Sequence, residues 1–214
     1  KNRDLQEQIA LSYLEEYCDI ALGGGAERFT SKGRKDKLNL IDSLAKRGYT
    51  VVYSEDELSK CESEKIFGLF AEGHLPEASK RGGVMQQYML KALEQLDKNP
   101  NGFFMMLEGS RIDMEAHLNK YDAMVEETLD FDRCVAIALD FAKRKGNTLV
   151  VVTADHETGG LTLPAKGSKT QDKWTTLNHT GVPVPIYSFG PGAENFTRVM
   201  QNTDIFFEIY KLMK

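Results

Sequence analysis

Cysteine is scarce in this sequence, and basic charge is not in excess. The cysteines are Cys18, Cys61 and Cys134, an odd number, and none lies in a Cys-x-x-Cys pair. Complete internal pairing is therefore excluded. Buried free thiols are expected, with one disulfide plus one free thiol as the alternative, and the compartment cannot be read from either. Lys and Arg number 27 against 32 Asp and Glu, for a net charge of −5. That balance argues against a general nucleic-acid binder, which needs a basic patch or stripe. No apolar run approaches the roughly 18–20 residues that a membrane helix requires. The chain opens on Lys1 rather than Met, so the lack of an apolar leader says nothing about compartment. Internal repeats, low-complexity segments and linkers are also missing. So is a Gly-x-Ser-x-Gly elbow. Gly23-Gly24-Gly25 lacks the spacing of a phosphate loop and reads as a turn. Asp42-Ser43 sits inside a helical pattern with Leu38, Ile41, Leu44 and Ala45, which makes Ser43 an exposed helix-surface serine.

What remains is an ordinary globular composition, 41% hydrophobic over 214 residues, enough for one α/β domain with its own core. Two hydrophobic periods alternate along the chain. Helices are expected over 4–17, 36–47, 84–98, about 120–145 and 203–213, the longest closing at Gly146. Short apolar strands are expected over 18–22, 49–53, 66–70, 103–107 and 148–153. A strand over 184–189 contains Pro185, which suits an edge or a strand start. The polar stretch 163–178 has no period and reads as a surface insertion. Strands alternating with helices imply α/β architecture: a mainly parallel sheet with helices on both faces, in a single domain over 1–214.

Ligand-type residues gather just after strands. Glu108 ends the apolar run 103–107, with Asp113 five residues on and His117 four further. The run Thr-Leu-Val-Val-Val-Thr ends in Ala154, then Asp155 and His156. His179 precedes the last strand. Sites in open α/β sheets form at the carboxyl ends of strands, so these groups can meet. Asp113 and His117, at i and i+4, share a helix face. Imidazole nitrogen and carboxylate oxygen suit zinc. Glu108, with no histidine beside it, suits a harder ion such as magnesium. Singly, each residue is as easily a surface pair, a turn cap or a loop residue, and His74 reads as a loop histidine. Spacing leaves both readings open. The shared site gains from three of four histidines lying at strand ends or beside carboxylates.

The combination resembles the alkaline phosphatase family. The segment Leu107-Glu108-Gly109-Ser110-Arg111-Ile112-Asp113 with His117 is similar to the family's Glu-Gly-x-x-Ile-Asp segment and its following histidine. Residues 148–160, TLVVVTADHETGG, are similar to its second metal segment, and His179-Thr180-Gly181 to its last histidine motif. Leu22-Gly23-Gly24-Gly25-Ala26 and Gly68-Leu69-Phe70-Ala71 have counterparts in the same order. The resemblance implies two zinc ions, one held by Asp113, His117 and His179 and one by Asp155 and His156. It implies magnesium at Glu108. Met114 stands where relatives often place Lys or His near the third metal. The implied reaction is hydrolysis of phosphate monoesters through a phosphoserine, releasing inorganic phosphate. The family's Asp-Ser-Ala nucleophile, bridging aspartate, threonine ligand and phosphate-clamping arginine have no counterpart motif here. No catalytic nucleophile is thus expected in this chain, which is inactive alone, has an incomplete sheet and leaves apolar surface to be covered by another piece. A homodimer and a periplasmic or extracellular location are implied by the resemblance only. The alternatives are a related superfamily hydrolase (phosphodiesterase, sulfatase or phosphonoacetate type) and a non-catalytic zinc-binding fragment.

Overall fold

In a computed structural model of the chain, residues 2–15, 18–163 and 173–213 are described. They form two compact units, Lys1–Leu107 and Glu108–Lys214. The expected insertion over 163–178 lies mostly outside the described residues.

The first unit is built on a three-stranded parallel sheet. Its strands are β1 (Ile20–Gly23), β2 (Thr50–Val52) and β3 (Ile66–Leu69), in the order β1-β3-β2. Ile20 pairs with Ile66 and Thr50 with the same Ile66, so all three strands enter in register. Alternate side chains feed two separate cores. Ala21, Val51, Phe67 and Leu69 join Leu40 and Leu44 of helix α2 (Leu40–Lys46) and Ala10 of α1 (Gln6–Ser12). Ile20, Leu22, Val52 and Ile66 join Leu58 of α3 (Glu55–Lys60) and Val84 and Tyr88 of α5 (Val84–Leu96). Helices therefore cover both faces, as the continuous apolar strands imply. The helix starts follow local chemistry. The Asn39 side chain accepts from Ile41 N–H at 3.2 Å, and Ser54 caps Glu57 N–H at 3.2 Å. A short helix, α4 (Ala78–Arg81), precedes α5. Helices α3 and α4 escaped the periodicity reading because each is under two turns long.

Ser43 lies in α2 and is half-buried rather than exposed. Residues 103–107 carry no strand, although alternate residues are half-buried and exposed, with Met106 78% exposed. Alternation needs only an extended backbone, whereas a strand is defined by a ladder, and none is formed there among the described residues. All three cysteines are free; Cys61 and Cys134 are buried, but Cys18 is exposed.

The second unit opens with α6 (Arg111–His117) and the long α7 (Tyr121–Lys145). Lys143, Arg144 and Lys145 fill the last turn of α7, favourable to its dipole. Gly146 then turns left-handed at φ 74° and donates its N–H to the Ala142 carbonyl. Two small antiparallel pairs follow, beside the parallel sheet of the first unit. The strand β4 (Val150–Val152) pairs with β7 (Tyr187–Phe189), Val151 opposite Ser188. The strand β5 (Glu157–Thr158) pairs with β6 (His179–Thr180). Pro185 falls outside β7 because it has no N–H for a ladder; its carbonyl instead accepts from the Thr153 hydroxyl at 3.1 Å. The unit ends in α8 (Asn202–Leu212), which buries no residue fully and leaves Phe206 64% exposed.

Candidate metal centre

Three elements of the second unit deliver the site. Helix α6 carries Asp113 and His117 on one face, a turn apart. The loop after β4 carries Asp155 and His156. The β5–β6 pair carries Thr158 directly opposite His179. That pair is only two residues long, and side chains reinforce it. The Glu157 carboxylate accepts Gly160 N–H at 2.9 Å and also takes the hydroxyl of Thr180, its partner across the ladder. The turn behind it needs Gly159 and Gly160 at φ 89° and 59°, a region L side chains avoid.

The polar atoms converge. His117 Nε2 and His179 Nε2 are 3.1 Å apart. Asp113 Oδ1 lies 3.4 Å from the first and 3.7 Å from the second. Those three distances form a near-equilateral triangle, and one point in its plane lies about 2.0 Å from every corner, the length of a zinc–nitrogen or zinc–oxygen bond. His117 Nδ1 faces the Leu177 carbonyl at 2.5 Å, and a carbonyl can only accept. Nδ1 therefore carries the proton, and the Nε2 lone pair points into the triangle.

Thr158 does the same for two other groups. Its hydroxyl donates to Asp113 Oδ1 at 2.5 Å and lies 3.2 Å from His156 Nδ1. With its single proton on Asp113, Thr158 accepts from His156 Nδ1–H, which leaves His156 Nε2 bare. That atom is 3.2 Å from Asp155 Oδ2, a second pair of adjacent donors. The His156 and His179 rings stack at 3.5 Å between centroids. Asp113, His156 and His179 each bring one ligand atom within 4.8 Å of the others.

Five of the six residues singled out from the sequence thus lie in one cluster: Asp113, His117, Asp155, His156 and His179. Glu108 is exposed and joins no such group among the described residues. Thr158, Glu157 and the Leu177 carbonyl were missed. A threonine two residues past an Asp-His pair carries no signal of its own until a strand partner places it.

Imidazole and carboxylate are ligand types that zinc accepts, and the fold and cluster together are those of an α/β protein with a candidate metal site. The chain belongs to the alkaline phosphatase family, whose family model matches residues 1–172. It is similar to alkaline phosphatase 4 of Bacillus subtilis strain 168, 29% identical across 100% of this chain and 63% of that protein. Alkaline phosphatase H of Pseudomonas aeruginosa strain UCBPP-PA14 is 34% identical across 96% of this chain and 54% of its own length. The solved structure of the alkaline phosphatase from the Antarctic bacterium TAB5 superposes with a TM-score of 0.91 at 36% identity, covering 99% of this chain and 65% of that one. Two mutants of that enzyme have Mg bound. This chain therefore spans between 54% and 65% of the length of these relatives.

Proposed function

We propose that this chain is the metal-ligand part of a phosphomonoesterase domain. Asp113, His117 and His179 hold one zinc, Asp155 and His156 hold a second, and Glu108 serves a magnesium. The carrying observation is the triangle of Asp113 Oδ1, His117 Nε2 and His179 Nε2, with edges of 3.1, 3.4 and 3.7 Å. The His117 Nε2 lone pair and the Asp113 carboxylate both lie beside the centre of that triangle, and His179 Nε2 adds a third ligand atom when its proton is on Nδ1. When bound, zinc supplies Lewis acidity and lowers the pKa of an attacking hydroxyl or water.

The chain's own groups prepare that site. The Leu177 carbonyl sets the His117 tautomer, and Thr158 orients Asp113 and His156 together. Asp155 is mostly exposed, so its side of the cluster is open to a substrate phosphate. The complete protein hydrolyses phosphate monoesters through a phosphoserine and releases inorganic phosphate, with the serine supplied by sequence that this chain does not contain. We place that protein in the periplasm or outside the cell, as a homodimer. No described helix is long and apolar enough to cross a membrane. A non-catalytic zinc-binding fragment is the second reading for the chain taken alone, favoured by its covering 63% of a relative's length.

Elemental analysis after zinc loading and dialysis tests the assignment. About one to two zinc ions per chain are expected, falling by at least one in His117→Ala with His179→Ala. A parent chain that retains no zinc, or a double variant that keeps its full complement, overturns the ligand set.

A further inference from the structure

Helix α6 has two faces with different duties. Asp113 and His117 lie on one; Arg111 and Glu115, also four residues apart, are offset from them by two positions, about 200° around the helix. On this second face Arg111 Nη2 donates to Glu115 Oε1 at 2.7 Å. Arg111 Nε lies 3.3 Å from Glu127 Oε1 on α7, an ion pair without the alignment of a hydrogen bond. Lys120 approaches Glu115 Oε2 at 3.6 Å. Both carboxylates are 3% exposed, so two acidic groups and a guanidinium are packed where apolar side chains normally lie.

Buried ion networks are a poor way to gain stability. Taking the charges out of water costs about as much as their attraction returns, and apolar replacements are often as stable. What a planar guanidinium between two carboxylates does supply is angular definition. At seven residues, α6 cannot hold its own orientation; its rotation is set by what it packs against. A few degrees of roll would move Asp113 and His117 sideways off the point they share with His179.

We infer that Arg111 is a positioning residue. By joining Glu115 on α6 to Glu127 on α7 it fixes the rotation of α6, and with it the aim of Asp113 and His117. The inference rests on the metal reading for its purpose, but its geometry can be judged without metal.

The experiment uses the 214-residue chain with two variants. Arg111→Lys keeps the charge and loses the planar fork. The triple variant Arg111→Met, Glu115→Leu, Glu127→Leu replaces the network with apolar volume. Thermal unfolding reports folding, the nuclear Overhauser effect between the His117 and His179 rings reports their approach without metal, and titration with cobalt(II) reports affinity. Both variants are expected to unfold cooperatively, to lose the ring-to-ring signal and to bind cobalt about 10–100-fold more weakly. A folded variant that keeps the signal and the parental affinity overturns the inference. So does unfolding of both variants, which would make the network a plain support of stability. If the parent shows the ring-to-ring signal and binds no cobalt, the metal reading fails; loss of the signal in the variants would still sustain the positioning role.

Discussion

At the scale of single residues, charge is handled in two ways. In the candidate metal cluster, imidazole nitrogens and carboxylate oxygens face one another across short distances. Elsewhere, buried charge is neutralised locally. Arg34 is fully buried, yet its guanidinium meets the Asp36 carboxylate on two sides and donates to the carbonyls of Glu7 at 3.0 Å and Arg28 at 2.8 Å. The Arg34 hydrogen bond, seconded by Leu38 N–H, holds the Asp36 carboxyl below the usual carboxylate range. A group whose folded pKa is depressed contributes stability above its unfolded pKa of about 3.9, and that contribution is lost as pH falls through the folded value. Asp36→Asn should therefore be less stable than the parent near neutrality, and the gap should close in acid. Urea midpoints at about pH 7 and about pH 3 check this; a gap independent of pH would show that the carboxylate charge is not what matters.

At the scale of elements, capping and termination can be read residue by residue. Gly146 closes α7 where the apolar period stops, and its positive φ explains why glycine is there. A Cβ at that position would meet nothing within 4 Å, so the cost of substitution is conformational alone. Gly146→Ala should destabilise by about 1 kcal/mol, lowering the unfolding midpoint by about 2–4 °C, with no change in zinc content. Calorimetry of the two chains measures it, and an unchanged midpoint would mean that the left-handed turn is not held in solution. The short elements behave differently. The β5–β6 ladder is two residues long, below the length at which a strand has a recognisable pattern, and exists because Glu157 and Thr180 clasp across it. Residues 103–107 show the opposite case: composition and alternation suit a strand, yet no ladder forms among the described residues.

At the scale of the whole molecule, the chain is a large part of a family fold and not its full length. Apolar side chains stand in solvent in the second unit, with Val199 97% exposed alongside Tyr187, Phe206 and Phe207. The candidate metal cluster is assembled wholly within that unit, from Asp113 to His179. The chain should thus take up metal while turning over phosphate esters poorly or not at all, because none of the cluster's residues is placed as a nucleophile. Phosphate release from p-nitrophenyl phosphate by zinc-loaded chain, with mass spectrometry to exclude other species, checks this. Turnover near that of a complete relative would overturn the reading of the site as metal ligands alone.

The α/β class, the sites of the longer helices and five of the clustered residues were legible in the amino-acid order, because each rests on local spacing. Helical i and i+4 neighbours share a face whatever the rest of the chain does, and carboxylate and imidazole chemistry is intrinsic to the side chains. Only the tertiary structure decided which of those residues meet. It brought His179 to within 3.1 Å of His117 across 62 positions and made Thr158 the link between Asp113 and His156. It set Arg111 between two buried carboxylates, left Cys18 outside and turned the second unit's strands antiparallel. Contacts over such separations depend on how packed helices and paired strands close on one another, and no local period in a sequence records that closure.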